Sequence, residues 1–370
     1  MKKLLIFVLL LIVLPTAARA AEADIIESQY EALGGDELKN ALTGDGAEML
    51  EGIEIKDGSN FTEGFKKILG SVGARLGEIL RKGISSAAIL IVIAILTSLS
   101  ETVYESLSPG SAPNYIPLIG TIAIAAIAVS DVGSFLRLGS NTVSELSAFS
   151  KVLLPTLTAA AAAGGAVTSA AAKYAATALF LDILITVSER ALVPLIYAYT
   201  ASVVASAAIG GEGLAGAVNV LKWVANVVLT AVVLLFIAYL TISGIITGTA
   251  DALTTRVAKT TISTILPVVG GIISDAASSI LAGAGMLRNA IGIYGLLGVT
   301  AMCIIPFLRL AVQYLCYKFA AGITAAVSGQ RISKLIGGIG TAFGLMMGVT
   351  GSTAVILYFS IISLIKAVGV

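Results

Sequence analysis

Apolar residues in this chain fall into nine runs, at about 84–99, 116–135, 152–163, 166–187, 191–209, 217–246, 291–307, 308–323 and 341–368. Most approach the ~20 residues that a membrane-spanning helix needs. Several are short or adjoin one another, so the pattern predicts seven to nine membrane segments. Pro155, Pro194, Pro267 and Pro306 stand as kinks or helix starts, which neighbouring helices can accommodate. The stretch 272–286 repeats apolar residues but interrupts them with Ser274, Asp275, Ser278 and Ser279. It reads as an amphipathic, half-inserted or re-entrant segment. The expected fold is all-α, a polytopic membrane helix bundle.

The start of the chain has a different pattern. Lys2 and Lys3 precede an apolar run at 4–14, followed by Pro15 and Ala18-Arg19-Ala20, the order of a secretory signal peptide with an A-x-A site. Cleavage after Ala20 is expected, with retention as an N-terminal anchor the alternative. Residues 21–82 then form a small extracytoplasmic segment holding more than half of the chain's acidic residues. Phe61, Phe65, Leu69, Val72, Leu76 and Leu80 recur there at helical spacing, and a segment of about 60 residues is marginal as an independent core. It is expected to pack on the membrane part, 83–370, or on a partner. Lys66, Lys67, Arg75, Arg81 and Lys82 argue for the cytoplasmic side by the positive-inside rule. The three-part signal pattern is more specific and outweighs them.

Composition narrows the function classes. Hydrophobic residues make up 57% and charged residues 12% of the chain, with mean hydropathy +0.98, which excludes an ordinary soluble domain. A net charge of +1 with basic residues scattered and never more than two in a row gives no surface for nucleic acid. Histidine is absent, and the two cysteines, Cys303 and Cys316, lie in apolar segments. No metal site or cofactor is expected, and the thiols read as small hydrophobes. Without histidine the commonest general base near neutral pH is missing. The chain has no Walker phosphate loop and no HExxH, so a non-enzymatic protein is expected.

Charge at membrane depth costs roughly 2.5–3.5 kcal/mol per residue on insertion scales, which draws attention to 243–292. That stretch carries Asp251, Arg256, Lys259, Asp275 and Arg288 among apolar neighbours. Asp182, Lys222, Arg309 and Lys318 stand inside other apolar runs. The functional reading is an ion or proton pathway, with these residues lining a pore. The structural one, internal ion pairs with snorkelling near helix ends, is preferred. Asp182 or Asp275 is expected to pair with Arg309 or Lys222. Gly340, Gly344 and Gly348 recur at every fourth position, a smooth face suited to helix packing. Packing within one chain is preferred over packing between copies, which would make a homo-oligomer.

Three blocks carry a resemblance: ERALVPLIYAYTASVVASA from Glu189, TTRVAKTTISTILPVVGGIISDAASSILAGAGMLRNAIGIYGLLG from Thr254, and IIPFLRLAVQYLCYKFAAGITAAVSGQRISKLI from Ile304. In wording and spacing they resemble the stage III sporulation protein AE family of endospore-forming bacteria. The family tends to carry a Pro-Gly turn where this chain has SGQR at 328–331. The resemblance implies a protein made in the mother cell and placed in the membrane around the engulfed forespore. It would work there with the other proteins of the stage III sporulation A operon and a forespore-membrane partner. Together these form a trans-envelope channel or feeding tube, likened to specialised secretion systems, that keeps the forespore intact and supports its late gene expression. This subunit would be the membrane pore or the assembly platform. A secondary transporter for a small solute, with 251–288 at its substrate site, is the alternative. The absence of a convincing internal repeat weighs against it, and a membrane enzyme ranks third.

Overall fold

The computed structural model describes residues 27–55, 61–107, 114–209, 212–265 and 270–366, with side chains described for all of these except 212, 243–265, 270–282 and 329. After a helical stretch at 27–32, two short helices, α1 (Gly35–Asn40) and α2 (Gly44–Met49), precede the long ones. These are α3 (Phe61–Leu107), α4 (Ile116–Ala163), α5 (Val167–Val187), α6 (Val193–Ile209), α7 (Glu212–Ile265), α8 (Gly270–Val327) and α9 (Gly329–Ile365). One turn of π-helix, Ser188–Leu192, joins α5 and α6 into a single rod.

Among the described residues, six helices are long and apolar enough to cross a membrane, so the all-α membrane bundle stands with fewer segments than the seven to nine apolar runs suggested. The difference lies in continuity. Runs 116–135 and 152–163 are both part of α4, 166–187 and 191–209 share the α5–α6 rod, and 291–307 and 308–323 share α8. A polar residue ends an apolar run, but it does not end a helix whose backbone hydrogen bonds continue. Pro155 and Pro306 lie inside α4 and α8. The stretch 272–286, expected to be half-inserted or re-entrant, has the backbone of the unbroken first part of α8. Pro267 and the signal segment with Ala20 lie outside the described residues.

The helices run alongside one another in a fixed register. Gly120 of α4 faces Thr97 of α3 while Gly83 and Ser134 share a cavity wall, so α3 and α4 are antiparallel. Gly64 lies on Leu297 and Gly83 on Val312, and Ser98 Oγ donates to the Val327 carbonyl at 2.8 Å. α8 therefore runs parallel to α3. α9 folds back along α8, with Gly344 on Tyr314, Gly292 on Ile365, and the Thr300 and Tyr358 hydroxyls 2.6 Å apart. The α5–α6 rod packs on α9 through Thr177 Oγ1 to Ser360 Oγ at 2.7 Å and Tyr199 OH to the Gly338 carbonyl at 3.0 Å. α7 closes the bundle, with Phe236 edge-on to Phe180 and Leu229 beside Gly348.

These helices are too long to lie within a bilayer. At ~1.5 Å per residue the 48 residues of α4 extend about 72 Å, against a hydrocarbon core of about 30 Å and tilts of at most about 40°. One half of the bundle presents a belt of exposed apolar side chains at matching levels, among them Ile84, Leu96, Ile119 and Phe319. The other half contains the charged turns of α3 before Gly83, and here the N-terminal helices cover the bundle. Leu42 meets Phe149 near Gly298, and Gly46 approaches Met302 so closely that a Cβ would sit 2.5 Å from its Cγ. The apolar run 291–307 is thus buried by protein, with Ile291, Val299 and Ile305 fully enclosed. The N-terminal segment packs on the membrane part, the first of the two arrangements expected for it, and shares its core.

Candidate functional site

Where the N-terminal helices meet the bundle, α3, α4 and α8 frame an open cavity of about 470 Å³. Five charged side chains, Asp45, Arg75, Glu78, Lys82 and Arg309, line it together with Gln313. The amphipathic turns of α3 supply three of these because its apolar face is occupied by α8. Arg75 donates to the Asp45 carboxylate and, at 2.8 Å, to Glu48, tying α2 to α3. Lys82 pairs with Glu78 one turn away at 2.7 Å. Such water-exposed pairs are screened by solvent, so they set register more than stability. Arg309, on the turn after Pro306, is exposed on the cavity wall and makes no hydrogen bond or ion pair among the described residues.

Beneath this cavity lies a polar cluster that sequence reasoning missed. Asp131 of α4 accepts hydrogen bonds at one carboxylate oxygen from the Tyr317 hydroxyl at 2.7 Å and from Gln313 Nε2 at 3.3 Å. Tyr317 and Gln313 are buried, and Phe343 holds the Tyr317 ring edge-on at 4.9 Å. A half-buried carboxylate needs partners, and here neutral donors meet it. Gln313 belongs to both features, linking the cluster to the cavity. Asp131 lies inside the apolar run 116–135 and was not singled out. The available signal was Gln313 and Tyr317, four apart on one face of an apolar helix.

The residues singled out in the sequence are dispersed. Asp182 on α5 and Lys222 on α7 are exposed. Among the described residues neither pairs with the other, and Arg309 pairs with neither. The side chains of Asp251, Arg256, Lys259 and Asp275 lie outside the described residues. Arg288 is buried on α8, with a guanidinium nitrogen 3.9 Å from where a Cβ on Gly164 would stand. Lys318 donates to the Gly337 carbonyl and to Thr341 Oγ1, both at 2.8 Å, over the Tyr314 ring. It fastens α8 to α9. Lys173, which the sequence reading passed over, likewise donates to the Ser363 carbonyl at 2.8 Å, joining α5 to α9. Backbone and hydroxyl oxygens of neighbouring helices thus meet these two cations.

Gly340 and Gly344 receive Tyr317 and Tyr314 of α8, and Gly348 receives Leu229 of α7, so this smooth face serves packing within the chain. Cys303 and Cys316 are free and partly buried. In the N-terminal segment, the Tyr30 hydroxyl donates to Asp36 at 3.1 Å. Burial and the neighbouring carboxylate raise its pKa far above the usual tyrosine range. Among the described residues no three His, Cys, Asp or Glu side chains converge as metal ligands. The arrangement is suited to docking and to holding polar groups in an apolar setting.

A family model described as stage III sporulation protein AE matches residues 48–369. The chain is 19% identical over 243 residues to stage III sporulation protein AE of Bacillus subtilis (strain 168), over 66% of this chain and 61% of that protein. It thus spans less than two thirds of that relative's length. No solved structure matches. The matched region takes in α3 to α9 whole, with the helices that frame the cavity and the Asp131 cluster, and the chain belongs to the stage III sporulation protein AE family.

Proposed function

We propose that this chain is a non-enzymatic membrane subunit of the sporulation trans-envelope channel complex linking mother cell and forespore, and that it acts there as an assembly platform. The proposal places it in the outer forespore membrane with the N-terminal helices extracytoplasmic, facing the other proteins of its operon and a forespore-membrane partner. Loss of the subunit would compromise forespore integrity and late forespore gene expression. The observation that carries the reading is helix length. Helices about twice as long as the hydrocarbon core is thick lift a covered, charge-rimmed body clear of the bilayer, on the side where partners between two membranes would meet it. The continuous backbone of the first part of α8 also differs from the unwound helices at which secondary transporters hold substrate.

The tagged chain, purified from sporulating cells, is expected to retain its operon partners in constant proportion, while the chain reconstituted alone takes up no solute saturably. Saturable uptake by the isolated chain, with no retained partners, would favour the transporter instead.

A further inference from the structure

We infer that the end of the bundle away from the N-terminal helices binds the headgroup of an anionic phospholipid, in a cavity between α6, α7 and α9. The cavity holds about 600 Å³ and is lined by Arg331 and Lys334, with no carboxylate among the described side chains that line it. Gln330, Asn219 and Ser206 add polar side chains, while Val203 and Leu335 form part of an apolar floor. Arg331 and Lys334 are exposed and make no hydrogen bond or ion pair among the described residues. Two cations one turn apart on a helix repel each other, and an anion between them relieves that repulsion. The cavity around Arg309 differs in this respect, because Asp45 and Glu78 already stand among its cations.

Location selects the lipid. The cavity opens where three candidate spans meet, at the end of Val167–Ile209 and the starts of Gly213–Ile242 and Gln330–Ile365. Asn219 lines it, and one turn further along the same face of α7 stands Trp223, 64% exposed. Tryptophan prefers the depth of lipid headgroups. A phosphodiester at Arg331 and Lys334 would lie in the cavity while its acyl chains follow the exposed Val220 and Trp223 into the apolar belt. Arginine meets a phosphate with a planar fork and lysine adds a point charge. The first turns of α7 and α9 direct backbone N–H groups toward the same end.

The test is native mass spectrometry of the full chain in detergent, titrated with phosphatidylglycerol or phosphatidylcholine, with millimolar inorganic phosphate as a separate arm. Phosphatidylglycerol is expected to bind more tightly, by roughly thirtyfold for two basic residues at a membrane surface. The advantage should vanish in Arg331→Gln/Lys334→Gln, fall partway in Lys334→Gln alone, and survive in Arg309→Gln. Equal binding of the two lipids, or an advantage that persists in the double variant, would overturn the proposal. Displacement of the lipid by inorganic phosphate would overturn it in favour of a soluble phosphate ligand. These side chains are exposed, so unfolding temperatures matching the parent chain show that each variant is folded.

Discussion

Replacing Gly340 by leucine is expected to destabilise the protein by roughly 3 kcal/mol, the upper end for overpacking a close-fitted interior. A Cβ at this position would stand 3.1 Å from Tyr317 Cβ, 3.6 Å from the Lys318 amide nitrogen and 3.7 Å from the Tyr314 carbonyl oxygen. None of these is the free end of a flexible side chain, so α8 and α9 must separate. Separation lengthens the Lys318 bonds to Gly337 and Thr341 and withdraws Tyr314 from Gly344. Folded proteins are stable by only about 5–15 kcal/mol, so the variant should accumulate poorly in membranes and unfold at lower temperature in detergent. Gly322, on the facing helix α8, has open space where its Cβ would be. Gly322→Leu should be neutral or gain up to about 1 kcal/mol from helix propensity. Equal losses in the two variants would show that the α8–α9 contact is not as described.

Tyr317→Phe should cost about 2 kcal/mol, within the range for a hydrogen bond to a charged group. The substitution leaves the ring against Phe343 and removes only the donor that meets Asp131 at 2.7 Å. Gln313, at 3.3 Å, then remains as the other partner of a carboxylate in a poorly hydrated place. In an Asp131→Leu background the acceptor is gone, and the same loss of the hydroxyl should cost about 1 kcal/mol less. Unfolding of the four proteins in detergent measures this coupling. An identical cost in both backgrounds would mean that the Tyr317 hydroxyl acts through some other group.

Much of the bundle could be read from the chain, and the misreadings share a cause. Hydropathy windows detect apolar helix but do not distinguish lipid from protein as the neighbour. The run 291–307 is as apolar as a span, yet Met302, Leu297 and Gly298 are covered by the N-terminal helices, α3 and α4. That cover comes from residues about 150 to 256 positions earlier, so no local pattern contains it. The Gly340, Gly344 and Gly348 face was legible because its period is the helix's own, and the Tyr partners it receives follow from a tight hairpin at Ser328. The pairing expected of Asp182 with Arg309 or Lys222 is not seen among the described residues, because opposite charge in sequence says nothing about which face each residue takes, and the Asp275 side chain lies outside them. Asp182 and Lys222 point outward on α5 and α7 while Arg309 lines a cavity formed by α3, α4 and α8. Asp131 was overlooked for the converse reason. A single acid inside an apolar run shows no partner until the fold brings Tyr317 beside it.

The central claim is that the long helices cross the bilayer once and carry a body beyond it. The most direct test uses two exposed positions on α4, Ile122 at the level of the apolar belt and Ser144 in the half covered by the N-terminal helices. Each is changed to cysteine in a chain whose Cys303 and Cys316 are replaced by alanine, the chain is produced in the surface membrane of vegetative cells, and these intact cells are treated with a membrane-impermeant maleimide. Ser144→Cys should be labelled from outside, and Ile122→Cys should stay unlabelled even after lysis, shielded by lipid. Labelling of Ser144→Cys only after lysis, or labelling of Ile122→Cys from either side, would contradict the account.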